Sequence, residues 1–143
     1  MLTGEYKHIL DSKKRLALPA KFRRELGETV VITKETNKSL VVYTLKEWKE
    51  KAEKLAQLPI SKDEARRFAR LKLAGAVVVK FDKLGRILIP DFLKNYAGLK
   101  KEVTIIGLST RVEIWDTKRW ERYKKESERE MDNLVSKLEE LGI

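Results

Sequence analysis

The chain reads Gly4-Glu-Tyr-Lys-His-Ile-Leu-Asp11-Ser-Lys-Lys-Arg15-Leu-Ala-Leu-Pro19, and 71 residues later it reads Gly75-Ala-Val-Val-Val-Lys-Phe-Asp82-Lys-Leu-Gly-Arg86-Ile-Leu-Ile-Pro90. Both stretches have the form glycine, six residues, aspartate, three residues, arginine, three residues, proline. A single Asp-x-x-x-Arg match arises by chance in about a third of chains this long. Four matched residue types at fixed spacing indicate an internal duplication, which constrains the fold before any local pattern does.

The duplication continues beyond the shared proline. Pro19 and Pro90 each begin a predicted helix of about two turns that ends at Gly27 or Gly98. Proline suits the first turn because its missing N–H is not needed there, and glycine readily takes the positive φ of a helix end. Short runs of β-branched and aromatic residues then predict two strands per repeat, over residues 30–33, 40–43, 103–106 and 112–115. Each repeat is therefore predicted as strand, loop, strand, short helix, strand, turn, strand.

Further helices are predicted after each repeat. Thr44 with Glu47, and Ser61 with Glu64, have the pattern of capping boxes, while Asp116 is the expected cap of a third helix. The first of these helices is expected to end near residue 59, and its apolar side would carry Trp48, Ala52, Leu55 and Ala56. The second is expected to turn inward Ala65, Phe68 and Leu71. The third is predicted to run from about residue 117 to 141, with a stripe for core or subunit contacts formed by Trp120, Tyr123, Met131, Leu134, Leu138 and Leu141.

Length and composition favour one core. A chain of 143 residues that is 42% hydrophobic can bury a single ordinary core. One four-stranded repeat alone would expose its strand edges. We therefore expect the halves, residues 1–74 and 75–143, to interleave into one compact α+β unit: a β-barrel-like body of two pseudo-symmetric repeats with helices packed outside.

Several classes of protein are not expected. The sequence has no apolar stretch of 18 residues and no charged-then-apolar signal segment, which predicts a cytoplasmic protein without a membrane partner. The absence of cysteine excludes disulfides, thiolate catalysis and cysteine-based metal sites.

Charge is distributed unevenly. The chain has 32 basic and 22 acidic residues, a formal net charge of +10. Residues 12–24 contain six basic residues and no acidic one, whereas residues 126–140 contain six acidic residues and two basic ones. A positive duplicated loop with a negative tail is typical of a nucleic-acid-binding protein. A generally charged surface, which also suits a thermophilic source, is the alternative interpretation.

The duplicated loop has a definite chemistry. An aspartate that opens a tight turn accepts backbone N–H bonds two residues on. Gly85 supplies a positive φ, and Lys14 at the matching position predicts either strain or a different first loop. An arginine at the start of a strand presents two parallel donors, which suit phosphate or the O6/N7 edge of guanine. An Asp–Arg salt bridge that only closes the loop is the alternative, and it is compatible with DNA binding.

Catalysis is not predicted. Asp11 and Asp82 are related by the duplication, but each has an arginine nearby that favours ionisation, whereas a catalytic dyad shares a proton. His8, the one histidine, lies in a predicted strand beside Lys7. The sequence contains no glycine-rich phosphate loop and no cluster of metal ligands, so no cofactor, metal ion or small-molecule substrate is expected.

These residues resemble the MraZ family, bacterial proteins built from two tandem swapped-hairpin repeats of the SpoVT-AbrB type. The resemblance covers nearly the whole chain and is most specific over residues 4–23 and 82–90. In that family the Asp-x-x-x-Arg loop is the DNA-binding signature, so the resemblance implies that Arg15 and Arg86 contact DNA. The chain departs from the family pattern at Lys14, where glycine is common. The full set of expected site residues is Arg15, Arg86, Lys13, Lys14 and Lys83 as DNA contacts, with Asp11, Asp82 and Gly85 shaping the loops.

The resemblance also implies a function. It predicts a transcriptional regulator that represses its own division and cell-wall gene cluster by binding repeated operator boxes in double-stranded DNA. The expected assembly is a ring-like homo-oligomer of octamer class, located in the cytoplasm and associated with the nucleoid. A ring-forming scaffold that binds an acidic protein partner is the alternative, because a positive surface does not identify its ligand.

Overall fold

The two halves of the chain contain the same series of elements. The computed structural model describes residues 1–143. The first half contains β1 (Leu2–Ile9), β2 (Arg15–Ala17), α1 (Ala20–Leu26), β3 (Thr29–Glu35), β4 (Ser39–Thr44), α2 (Leu45–Ala56) and α3 (Asp63–Ala74). The second half contains β5 (Val77–Lys80), β6 (Arg86–Leu88), α4 (Asp91–Ala97), β7 (Glu102–Ser109), β8 (Arg111–Asp116), α5 (Thr117–Arg129) and α6 (Met131–Leu138). The predicted order of strands and short helices is confirmed, as is the α+β class.

The strands pair across the two halves. Six form an antiparallel sheet in the order β1-β7-β8-β4-β3-β5, and the other two form a separate ribbon, β2–β6. β1 from the first half lies along β7 from the second, with Leu2 opposite Ser109. β5 from the second half lies along β3 from the first. The expected barrel-like body does not close, because β1 and β5 remain at opposite edges of the large sheet while β2 and β6 pair with each other.

The main core lies on one face of the large sheet. Alternate residues of β3, β4, β7 and β8 face it, as the period of two along a strand requires, and they meet side chains from the ribbon, α1 and α4. Its largest fully buried members include Leu16, Phe22, Ile32, Leu40, Ile87, Ile89, Leu93, Ile105 and Ile114. The opposite face of the sheet is covered by α2, α3 and α5. The helices α1 and α4 therefore hold the ribbon against the sheet.

Two of the three predicted N-cap residues are confirmed, but the Glu47 side chain does not return the second hydrogen bond of the predicted capping box. Thr44 Oγ1 accepts a hydrogen bond from the N–H of Glu47 at 3.0 Å, and the Asp116 carboxylate accepts one from Arg119 at 3.2 Å. The predicted cap at Ser61 is wrong. Lys62 takes the extended N-cap position, with φ −99° and ψ 122°, and no side chain caps the helix. The first turn of α3 instead carries acidic residues, which interact favourably with the positive end of the helix dipole.

The predicted inward face of α3 is also wrong. Phe68 and Leu71 are 40% and 57% exposed, and Lys72 is buried in their place. Lys72 Nζ lies 2.8 Å from Glu35 Oε2, and Thr33 Oγ1 donates to the Lys72 carbonyl oxygen at 2.7 Å. Burial lowers the pKa of the Lys72 ammonium, while the hydrogen bond to Glu35 acts in the opposite direction. The ion pair permits a lysine to face the sheet, which turns the apolar residues outward.

The predicted single C-terminal helix is two helices. The backbone breaks at Glu130, with φ −99° and ψ 4°, between α5 and α6. Trp120 and Tyr123 of α5 pack against the Trp115 ring, with centroids 5.2 and 4.8 Å away. The rest of the predicted stripe lies on α6 and, for Leu141, in the turn after it, and every residue from 128 to 143 is exposed. None of the helices is both long and apolar enough to cross a lipid bilayer.

Candidate nucleic-acid interface

The two Asp-x-x-x-Arg loops have the same internal hydrogen bonds. Asp11 Oδ1 accepts the N–H groups of Lys13 and Arg15, both at 2.9 Å, and Asp11 Oδ2 accepts Arg15 Nε at 2.9 Å. Asp82 makes the matching bonds to the N–H groups of Leu84 and Arg86 at 2.9 Å and to Arg86 Nε at 2.8 Å. Each carboxylate therefore fixes its turn and also holds the arginine that follows.

These hydrogen bonds keep both carboxylates ionised. The backbone N–H of Arg15 is the main cause that lowers the pKa of Asp11, and the N–H of Arg86 does the same for the pKa of Asp82. A proton-sharing dyad needs one carboxyl with a raised pKa. The geometry of Asp11 and Asp82 therefore favours two separate anions that orient cations over acid–base catalysis.

Lys14 and Gly85 occupy matching positions with the same backbone conformation. Their φ angles are 62° and 76°, so the lysine does not change the shape of the first loop. A side-chain-bearing residue in this left-handed region costs about 1–2 kcal/mol. Lys14 Nζ forms a salt bridge with Asp91. At Gly85 a Cβ would meet the end of the Arg23 side chain, so glycine suits the positive φ and also lets the Arg23 guanidinium lie against the turn.

The ribbon sets the two loops side by side. β2 and β6 are antiparallel, with Arg15 opposite Leu88 and Arg86 opposite Ala17. The N–H of Leu18 donates to the Gly85 carbonyl at 3.2 Å, and the N–H of Ile89 donates to the Lys14 carbonyl at 2.8 Å. Arg15 and Arg86 are diagonal neighbours on one face of the ribbon, a relation that separates residues by about 7–8 Å.

Both arginines keep their terminal nitrogens available. Their Nε atoms are bound to Asp11 and Asp82, and no Nη atom of either guanidinium has a hydrogen bond within the chain. Arg86 Nη1 makes one long contact, 3.8 Å from Asp11 Oδ2. The side chains of Arg15 and Arg86 are 33% and 25% exposed. Two parallel N–H donors suit a phosphate or the O6/N7 edge of a guanine.

The loops are also surrounded by basic residues that were not among the predicted DNA contacts. Arg23 of α1 lies over Gly85 and donates its Nε to the Leu18 carbonyl at 3.1 Å. Its counterpart 71 residues later, Lys94 of α4, lies beside the other loop. There it lines an open groove of about 530 Å³ with Lys14, Lys100 and Lys101. These residues could have been found from the sequence, because the 71-residue offset of the repeat places a basic residue at the same position of both short helices, Arg23 and Lys94.

The other expected contacts lie at the loop tips. Lys13 and Lys83 are exposed and have no salt bridge or side-chain hydrogen bond within the chain. His8 lies apart, in β1 opposite Val103, and burial lowers its pKa. The structure has no cluster of three or more histidine, cysteine or acidic side chains that could hold a metal ion.

Comparisons with known proteins match the whole chain. A family model described as "MraZ protein, putative antitoxin-like" matches residues 1–71 and again residues 73–138. The "Transcriptional regulator MraZ" of Caldicellulosiruptor bescii is 50% identical over 143 residues, with 100% of both chains covered. Proteins of the same name from Caldanaerobacter subterraneus subsp. tengcongensis and Acetivibrio thermocellus are 49% and 46% identical, again over the full length of both chains.

Proposed function

This chain belongs to the MraZ family, and on that premise we propose that it is a transcriptional regulator that binds double-stranded DNA in a sequence-specific manner. Its relatives are named as transcriptional regulators and not as enzymes. The observation that carries the proposal is the pairing of β2 with β6, because it places two Asp-x-x-x-Arg loops and two arginine forks on one face.

The ribbon is an element of the kind that DNA recognition uses. The major groove of B-DNA accepts a two-stranded β-ribbon, and arginine in a bidentate contact with guanine is the commonest specific pairing there. In the proposed complex Arg15 and Arg86 contact bases, while Lys13, Lys14 and Lys83 contact phosphates. Asp11, Asp82 and Gly85 shape the loops. Arg23, Lys94, Lys100 and Lys101 extend the positive surface along the flanking backbone.

A role confined to loop closure is less consistent with these contacts. The side chains of the two Asp–Arg pairs are 25–37% exposed, and salt bridges open to solvent contribute about 0–1 kcal/mol to stability. The aspartates make their hydrogen bonds to Nε, and the one Nη contact is the 3.8 Å approach of Arg86 Nη1 to Asp11, so orienting the arginine and presenting it to DNA use largely different nitrogens. The salt bridge therefore supports the DNA-binding role.

The proposal extends to assembly and target. Residues 1–74 and 75–143 act as two repeats of one folded unit, and several copies form a ring-like homo-oligomer of octamer class. The ring presents its loops to repeated operator boxes ahead of the division and cell-wall gene cluster and represses that cluster, in the cytoplasm and at the nucleoid. Linking several loops in one assembly raises the effective concentration of each at the next box, so tandem boxes bind more tightly than one.

A mobility-shift titration of the DNA upstream of the protein's own gene tests the proposal. Arg15→Ala or Arg86→Ala should cost about 1–3 kcal/mol of binding free energy and relax the preference at particular bases. Lys13→Ala or Lys83→Ala should weaken binding to all sequences alike and reduce the slope of log affinity against log salt by about 0.9. Arg122→Ala, an exposed arginine of α5 outside both loops, is the matched control and should change neither.

Two results would contradict the proposal. If Arg15→Ala lowers the melting temperature strongly while DNA affinity is intact, the arginine only closes its loop. If the wild-type protein binds no DNA at low salt but retains an acidic protein, the scaffold alternative is correct.

A further inference from the structure

α6 presents an apolar face that its own chain leaves exposed to solvent in large part. Met131, Leu134, Val135 and Leu138 recur at intervals of three and four residues, so they share one side of the helix. Their exposed fractions range from 38% to 62%, and Leu141 in the following turn is 73% exposed. A contiguous apolar face of this kind on a soluble chain marks an interaction surface.

A second uncovered apolar surface lies between α2 and α3. A groove of about 220 Å³ separates the two helices, and its lining residues are Leu55, Ala56, Leu58, Ile60, Ala65 and Ala69 with Arg66 and Arg70. Three of its six apolar lining residues are alanines, which leave room for larger side chains from outside. The apolar residues of α6 are large, so the alanines of the groove leave space that these side chains could fill.

The unpaired charges of the two surfaces are also complementary. Arg66 is bound to Asp63 within its own chain, at 3.3 Å, whereas Arg70 has no salt bridge or side-chain hydrogen bond there. Asp132, Glu139 and Glu140, on α6 and the turn after it, likewise contact no cation of their own chain. Two α6 helices facing each other would bring like charges together, so a basic groove is the better match.

We propose that α6 of one copy of this chain packs into the α2/α3 groove of a second copy. Leu134 and Leu138 enter the groove between the alanines, and the carboxylates of Asp132, Glu139 and Glu140 approach Arg70. The second copy is required because every residue of α6 remains exposed in its own chain. Since the two contacting surfaces differ, the interface is heterologous and repeats from copy to copy until the assembly closes. This interface rests on the proposed function in one respect: it would be the subunit contact of the proposed ring.

Cysteine cross-linking tests the contact directly, because the natural chain has no cysteine. A disulfide forms only where two Cα atoms come within about 4.4–6.8 Å. Leu134→Cys protein mixed with Ala69→Cys protein should give a cross-linked dimer on a non-reducing gel after mild oxidation. Ala20→Cys, on the exposed start of α1, replaces Ala69→Cys in the control mixture and should give little product.

Charge reversal tests the same contact in solution. Arg70→Glu should raise the protein concentration at half-assembly by about tenfold, as should the pair Glu139→Lys and Glu140→Lys, and combining all three should restore assembly. Arg67→Glu is the matched control on the same helix, since Arg67 is bound to Asp63 at 2.9 Å and does not line the groove. Sedimentation gives the mass, and the DNA affinity for a single box should not change in any of these variants.

The outcomes separate this contact from the proposed function. Self-cross-linking of Leu134→Cys in excess of the mixed product would overturn the contact, and so would equal products from the Ala69 and Ala20 mixtures. A wild-type protein that sediments as a single chain at all concentrations would overturn it as well. If the mixed cross-link forms but the wild-type protein binds no DNA, the contact is supported and the proposed function fails.

Discussion

Gly85→Ala should destabilise the protein by more than its backbone conformation alone explains. An alanine at φ 76° is strained, but it also lowers the conformational entropy of the unfolded chain, which offsets part of that strain. The net cost is about 1 kcal/mol. The new Cβ would also lie 2.3–2.6 Å from three atoms of the Arg23 guanidinium. Arg23 must then move, which breaks its 3.1 Å bond to the Leu18 carbonyl at a cost of about 1 kcal/mol. The expected total is about 2 kcal/mol.

Gly98→Ala separates the two contributions. Gly98 also has a left-handed conformation, with φ 59°, but a Cβ there would only meet Arg119 Nη2 at 3.5 Å, an ordinary contact. It should therefore cost about 1 kcal/mol. At about 3 °C per kcal/mol for a chain of 143 residues, the melting temperature should fall by about 6 °C for Gly85→Ala and about 3 °C for Gly98→Ala.

Calorimetry and operator binding together decide the prediction. Gly85→Ala should also weaken DNA binding, because the turn that positions Arg86 is disturbed, whereas Gly98→Ala should leave DNA affinity unchanged. In a double-mutant cycle Arg23→Ala should relieve about 1 kcal/mol of the Gly85→Ala cost. Equal costs for the two glycines, with no coupling to Arg23, would refute the reasoning.

Four further changes have expected outcomes. Lys14→Gly removes a left-handed lysine and one cation, so calorimetry should show no loss of stability while the salt slope of DNA binding falls by about 0.9. Lys72→Met leaves the Glu35 carboxylate without its cation and should cost about 3 kcal/mol in urea unfolding, most of it recovered by adding Glu35→Leu. Burial raises the pKa of Tyr43 to about 12, so between pH 10 and 12 the unfolded chain loses a proton that the folded chain keeps. Wild-type stability should therefore fall over that range by more than that of Tyr43→Phe, as denaturant titrations at pH 9 and 11.5 would show. Truncation after Lys125 should reduce the mass seen by light scattering without changing the affinity for a single DNA box.

The repeat units were predictable because local signals agree with one another. Proline, glycine and β-branched runs occur at the same offsets in both halves. They set the bounds of α1, α4, β3, β4 and β8 within two residues, while β7 continues three residues beyond its predicted end. The Asp-x-x-x-Arg loops were also accessible, since their hydrogen bonds connect residues at most four apart. Contacts between residues this close in sequence can be predicted from the local residue pattern.

Features that depend on distant partners were not predictable. Lys72 is buried because Glu35, 37 residues earlier, supplies a carboxylate. A prediction from apolar periodicity places lysine on the exposed side of a helix, so it could not identify Lys72 as buried. Arg23 reaches the loop of the opposite repeat only because β2 pairs with β6. The break at Glu130 could not be predicted, because no glycine or proline lies at that position.

The exchange of edge strands determines when the fold can form during synthesis. β1 is synthesised long before its partner β7. The paired residues Ile9 and Glu102 are 93 residues apart in sequence, and Leu2 and Ser109 are 107 apart. At about 5–20 residues per second, the ribosome needs roughly 5–20 s to deliver that partner. Until then the backbone donors and acceptors of β1 have only water, and exposed Thr3, Glu5 and Lys7 make it a poor template for aggregation. Such long-range pairing is slow to form, so a nascent chain that stalls before residue 102 holds a complete first repeat that still cannot acquire its native edge.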